Sequence, residues 1–108
     1  MSETLARIQA LAAAGNYRVS HHAYQKLEER GILATHIVSG LESAVVVETY
    51  PDAARGPTVL LLMRDQDGEA LHALWGIPGD RPDIAVLITA YRPDPQQWTH
   101  GSTKRIAP

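Results

Sequence analysis

The later part of the chain alternates between short runs of apolar and β-branched residues and shorter segments of turn-forming residues. Four of these runs have the composition of strands, and we place them at residues 44–50, 58–64, 69–75 and 84–91. Proline and glycine interrupt the first and third connections, and the second contains Asp67-Gly68, a strong hairpin signal. Because strands joined by such short connections pair antiparallel, the pattern predicts a four-stranded, mainly antiparallel sheet.

Helical signals precede these strands. The pattern predicts a packing helix at 3–14 with Ser2 as its cap, a second helix between Ser20 and Gly31, and a short third helix that Thr35 caps. Each helix carries apolar residues at the spacing of one helical face, which favours packing against a sheet.

The predicted fold is therefore α+β, with the N-terminal helices packed on one face of the sheet. Residues 17–19 are interpreted as a link between the first two helices. We expect a single domain over residues 1–108 that ends in a mobile tail at 99–108.

Composition limits the cellular compartment in which the protein can function and the kinds of molecule it can bind. The 108 residues carry a formal net charge of -2 and no cysteine, which excludes disulfides and thiolate zinc sites and does not indicate a strongly basic nucleic-acid binder. No apolar run approaches the ~20 residues that cross a bilayer, and the N-terminus lacks the order of a signal peptide. We therefore expect a cytoplasmic protein with no membrane contact. We expect no cofactor and no metal, because the adjacent pair His21-His22 lacks the i, i+4 spacing that puts two ligands on one helix face. A metal site formed by His21 or His22, His72 and a carboxylate is the alternative.

One helix face combines a titratable imidazole with two cations. His22, Lys26 and Arg30 are four residues apart in the second predicted helix, so they form a single row. Ala23 and Leu27 occupy the neighbouring face and can anchor the helix to a core. The row suits a phosphate-bearing ligand. A solvated surface face is the alternative, and it is the commoner fate of Lys and Arg.

Polar residues also interrupt two otherwise apolar strands. Alternation puts His72 on one face of the third strand, where it is either a buried core residue or a site residue. In the fourth strand, alternation puts Leu87, Thr89 and Tyr91 on one face and Arg92 on the other. Pairing of the two strands would bring Thr89 or Tyr91 near His72, with the register of that pairing left open.

Four short motifs follow one another in the sequence. They are His22-Ala23 with Lys26 and residues 29–32, the segment 48–52, Asp67-Gly68 with Leu71-His72, and the segment 88–94. In this order they resemble the family catalogued as DUF4258, a domain of unknown function, across roughly residues 19–98. That family is similar to the RelE and MqsR type of bacterial toxin, small α+β ribonucleases grouped with barnase, the colicin nucleases and EndoU.

The resemblance implies a RelE/MqsR-like fold and a metal-independent endoribonuclease toxin of a bacterial toxin–antitoxin system. Its substrate would be RNA, including ribosome-associated mRNA, and its partner an antitoxin protein encoded nearby. Position by position, the resemblance implies that the catalytic residues are His22, His72 and Tyr91. It implies that the substrate phosphate is bound by Arg30, Lys26, Thr89 and Arg92. A catalytically inactive protein of the same fold that binds protein or RNA is the alternative interpretation.

Overall fold

Three helices and a five-stranded sheet make up the part of the chain that the computed structural model describes, residues 2–65, 67–94, 98–99 and 104–105. The helices are α1 (Glu3–Ala13), α2 (His21–Arg30) and α3 (Ala34–Gly40), followed by a single 3-10 turn at Leu41–Ser43. The strands of the sheet are β1 (Tyr17–Val19), β2 (Val45–Tyr50), β3 (Thr58–Arg64), β4 (Ala70–Gly76) and β5 (Ala85–Tyr91). A separate antiparallel pair is formed by β6 (Trp98–Thr99) and β7 (Lys104–Arg105). The rest of the tail predicted at 99–108 lies outside the described residues.

The sheet has the strand order β1-β5-β4-β3-β2. The strands β2 to β5 pair antiparallel with their neighbours, whereas β1 pairs parallel with β5. The prediction of an α+β fold with a mainly antiparallel sheet is confirmed, but the predicted count of four strands is wrong because residues 17–19 form a fifth strand rather than a link. Three residues are too few to show the two-residue period of a strand, and their partner strand lies late in the sequence.

Side-chain caps and one glycine define the ends of α1 and α2. Ser2 and Ser20 each accept a hydrogen bond from the amide three residues further on, so both helices begin where the pattern predicts. Gly31 ends α2 in the left-handed conformation, with φ 66°. The third helix differs, because Leu33 occupies its N-cap position without a side-chain bond. The prediction that Thr35 caps α3 is therefore wrong.

The hydrophobic core lies between the helices and one face of the sheet. Buried side chains of the sheet meet buried side chains of all three helices there, including Ile8, Leu27, Ile37, Leu61, Leu71 and Trp75. The indole of Trp75 has no exposed surface and meets the Tyr17 ring edge-on at 6.5 Å between centroids. Because full burial of a large apolar side chain contributes roughly 1.5–3 kcal/mol, this layer is the main source of stability.

The opposite face of the sheet, which we call the second face, carries the polar residues predicted in the strands. Cross-strand pairing arranges its side chains in two neighbouring rows across β3, β4 and β5. The rows are Leu62–His72–Tyr91 and Leu60–Leu74–Thr89.

One extra residue in β5 decides which side chains reach the second face. The register between β4 and β5 shifts by one at Ile88, which forms a β-bulge. Leu87, before the bulge, is fully buried in the core, whereas Thr89 and Tyr91, after it, lie on the second face. The prediction that Leu87 shares a face with Thr89 and Tyr91 is wrong for this reason, because a bulge breaks the two-residue alternation.

Candidate functional site

The N-terminal end of α2 is bonded to the edge of β5 at the bulge. The Ser20 amide donates to the Leu87 carbonyl at 3.0 Å, which continues the parallel pairing of β1. The Ser20 hydroxyl donates to the Ile88 carbonyl at 2.8 Å and accepts from the Ala23 amide at 3.0 Å. These bonds hold the first turn of α2 beside the residues that follow Ile88 on the second face.

His22 and Thr89 are the first pair that this docking brings together. The His22 Nε2 atom lies 3.1 Å from the Thr89 Oγ1 atom, within hydrogen-bonding distance. His22 is exposed and Thr89 is half-buried, so the hydroxyl orients the imidazole while the ring stays open to solvent. An accessible imidazole held in one orientation is a candidate for acid–base chemistry.

His72 and Tyr91 form the second pair. They lie directly opposite each other in β4 and β5, with 3.2 Å between the His72 Nδ1 atom and the Tyr91 hydroxyl oxygen. Their rings meet edge-on, with centroids 5.3 Å apart. His72 has 0% exposed surface, whereas Tyr91 is half-buried, so Tyr91 presents this pair to solvent.

The two imidazole–hydroxyl pairs are neighbours, because Thr89 and Tyr91 are two residues apart on the same face of β5. That spacing corresponds to about 7 Å along a strand. The structure thus brings His22, Thr89, Tyr91 and His72 to one part of the second face. The sequence left open whether His72 is a buried core residue or a site residue. In the structure it is buried, and it also lies within hydrogen-bonding distance of Tyr91, a predicted site residue.

The cations of α2 differ in what they contact. Lys26 is half-buried and pairs with Glu29 at 3.5 Å, one turn further along the helix. Arg30 is exposed in the last turn of α2, where its charge complements the negative end of the helix dipole. Helical periodicity keeps both on the face that begins with His22.

Arg92 is engaged at the end of the β3–β4 hairpin. Its Nη1 atom donates to Asp65 Oδ2 at 2.8 Å, and Asp65 also accepts from the amides of Asp67 and Glu69, each at 2.9 Å. The hydrogen bond from Glu69, together with the charged bond from Arg92, lowers the pKa of Asp65 below its ordinary value of 3.8. Arg92 therefore ties the end of β5 to the hairpin.

Comparison with known proteins assigns the chain to a family. The family model of DUF4258, a domain of unknown function, matches residues 19–92. The chain belongs to the DUF4258 family. The match confirms the family predicted from the four motifs, and it contains all seven predicted site residues. No curated protein and no solved structure matches this DUF4258 chain.

A groove beside Tyr91 is the feature of this DUF4258 domain that sequence reasoning missed. The loop at 51–55 and the side chains of Leu60, Leu74, Ile88 and Tyr91 line an open hollow of about 720 Å³ on the second face. In the sequence, that loop shows only turn residues and part of a family motif. The available signal was Tyr50, an aromatic residue next to the turn, but its position over the sheet depends on strand pairing.

Two further properties concern metals and membranes. Among the described residues of the DUF4258 domain, no three His, Cys, Asp or Glu side chains are grouped as metal ligands would be. Within the same part of the chain, no helix combines the length and apolarity required to cross a membrane.

Proposed function

We propose that this DUF4258 domain is a metal-independent endoribonuclease that acts as the toxin of a bacterial toxin–antitoxin pair. The observation that carries the proposal is the adjacency of the pairs His22–Thr89 and His72–Tyr91 on the second face. Acid–base cleavage of RNA requires a base and an acid close together, and in the proposal His22 and Tyr91 fill these two roles.

RNA supplies its own nucleophile, the 2′-hydroxyl. An acid and a base on the protein are therefore sufficient for cleavage without a metal. A base removes the proton of a 2′-hydroxyl, the 2′-oxygen bonds to the adjacent phosphorus, and the bond from phosphorus to the 5′-oxygen breaks. An acid protonates the departing 5′-oxygen, leaving a 2′,3′-cyclic phosphate and a 5′-hydroxyl. Each positioned proton transfer contributes roughly 10²–10⁴-fold to the rate.

In the proposal His22 and Tyr91 meet the substrate, and His72 acts through Tyr91. His22 is exposed, and Tyr91 is the accessible member of its pair. The complete burial of His72 makes it a positioning residue that holds the Tyr91 hydroxyl, rather than a group that touches RNA. This differs from the expectation that His72 is itself a catalytic residue.

Lys26 and Arg30 would supply the positive charge that the phosphate requires. The Lys26–Glu29 pair is partly exposed, and such surface pairs contribute only about 0–1 kcal/mol, so a phosphate can replace Glu29 as the partner. With a net charge of -2, the chain has no general attraction for RNA, and binding would depend on this local row.

The second candidate is a module of the same fold that binds protein or RNA without cleaving it. The observation that favours it is the 0% exposure of His72, which is also what a packed structural histidine shows. The two candidates differ in whether RNA is consumed, so a cleavage assay separates them.

The test measures cleavage of an RNA of mixed sequence in the presence of a chelator. We expect cleavage by the native chain and its loss in His22→Ala, with His21→Ala as the matched control because His21 is the exposed neighbour on the same helix. Absence of cleavage by the native chain, or equal cleavage by both variants, contradicts the proposal. Growth arrest on expression, relieved by the product of an adjacent gene, would support the toxin role.

A further inference from the structure

The groove beside Tyr91 has an apolar floor. Leu60 and Leu74 form a cross-strand pair beneath it, and Leu60 is only 3% exposed. Ile88 and Tyr91 line one side of the groove. Its volume of about 720 Å³ falls within the roughly 300–1,000 Å³ that is typical of small-molecule sites.

A second hollow extends the groove along the sheet. Its volume is about 820 Å³, and it shares Arg55, Thr58 and Ile88 with the first hollow. It continues toward residues 76–80, away from Tyr91. The two hollows therefore form one groove whose Tyr91 end adjoins the proposed catalytic pairs.

We propose that the Tyr91 end of this groove binds one nucleobase of the substrate strand, next to the phosphate that is cleaved. The inference rests on the proposed function, because it takes the Tyr91 hydroxyl as the point of phosphate contact. Tyr91 belongs both to the His72 pair and to the groove lining. A base attached to a nucleotide at that hydroxyl reaches the groove without leaving the second face.

The chemistry of the lining favours a nucleobase. A base has apolar faces and an edge with hydrogen-bond donors and acceptors, and the groove offers a leucine floor with Asp52 and Arg55 in its wall. The Tyr50 ring is 37% exposed at the groove, and its hydroxyl donates to the Glu48 carboxylate. That bond fixes the orientation of an aromatic ring on which a base can stack.

The test uses the full chain and ribonucleoside 3′-monophosphates with each of the four bases, followed by backbone amide NMR shifts. We expect saturable shifts at 50–55 and near Leu74, with ribose 5-phosphate binding more weakly because it lacks a base. Tyr50→Ala should weaken nucleotide binding about 5- to 150-fold, the range of one stacked base. Tyr24→Ala is the matched control, because Tyr24 is 60% exposed and lies on α2 outside the groove lining.

Several results would overturn the subsite. They are nucleotides that leave the groove amides unchanged, ribose 5-phosphate that binds as tightly as the nucleotides, or equal nucleotide affinity in Tyr50→Ala and Tyr24→Ala. Shifts that depend on protein concentration alone would identify a second copy of the chain as the occupant instead. Nucleotide binding without RNA cleavage would contradict the proposed function and leave the subsite standing. RNA cleavage at an unchanged rate in Tyr50→Ala would contradict the subsite and leave the proposed function standing.

Discussion

The hydroxyl of Ser20 donates a 2.8 Å hydrogen bond to the carbonyl of Ile88, the bulged residue of β5. One side chain thus caps α2 and bonds to the point where β5 changes register. The cap of α2 and the register change of β5 are both required to bring His22 to Thr89. The helix carries His22, and the bulge turns Thr89 to the second face. The geometry of the candidate site therefore depends on Ser20, a residue that has no proposed role in the reaction.

Replacement of Ser20 should cost more stability than loss of an ordinary helix cap. We expect Ser20→Ala to lower the free energy of unfolding by about 1–3 kcal/mol, because a cap and a second hydrogen bond are lost together. Ser2→Ala removes only the cap of α1 and should cost about 0.5–2 kcal/mol. Urea denaturation of both variants measures the difference. Equal losses would show that the bond to Ile88 contributes nothing.

Tyr91 and His72 should behave as one functional unit. Tyr91→Phe removes the hydroxyl and should lower the cleavage rate roughly 10²–10⁴-fold, at a stability cost of about 0.5–1.5 kcal/mol. If His72 acts through that hydroxyl, His72→Phe will lower the cleavage rate when made alone, but will lower it little further when combined with Tyr91→Phe. Single-turnover rates of the four proteins test this, with Tyr24→Phe as the control. Independent, multiplying effects would assign His72 a separate role.

Asp65 should make stability depend on pH in the acid range. Its pKa is lowered in the folded state by the hydrogen bond from Glu69 and by Arg92, so the stabilisation is present above the unfolded pKa, near 3.8. It is lost as the pH falls through the lower folded pKa. The stability difference between the native chain and Asp65→Asn should therefore shrink below that pH. Urea denaturation from pH 6 downward measures it, and a stability difference that stays constant with pH would contradict the prediction.

Gly56, which directly follows the loop at 51–55 and lines the second hollow, should not tolerate a larger residue. Its φ is 125°, and a Cβ atom there would lie 2.1 Å from the Ile77 carbonyl oxygen, so backbone must move to admit alanine. We expect Gly56→Ala to cost about 2–4 kcal/mol and to weaken nucleotide binding by displacing the loop. Gly68→Ala is the control, because Gly68 also has a positive φ, 80°, but its Cβ would meet open space. Thermal denaturation with nucleotide titration compares the two variants.

Local signals predicted the parts of the fold that depend on neighbouring residues. The caps at Ser2 and Ser20 and the left-handed Gly31 are properties of a few adjacent residues, and all three are found. The parallel strand at 17–19 and the bulge at Ile88 arise from contacts between distant segments, and neither leaves a periodic trace. These two features explain the wrong strand count and the wrong face assigned to Leu87.

The candidate site shows the same division. The row of His22, Lys26 and Arg30 follows from helical spacing alone, and the helix that carries it is found. The partners Thr89 and Tyr91 reach their imidazoles only through strand register, which alternation left open. The burial of His72 and the groove over Leu74 depend on how the second face is enclosed, so no local pattern encodes them.

The family match begins at residue 19, after α1 and in the last residue of β1. Ile8 is nevertheless fully buried in the shared core, and the Tyr17 ring packs against Trp75. A fragment cut at the family boundary would lose a layer of core and most of the strand beside β5. The segment that matches the family model is thus shorter than the segment that builds the hydrophobic core.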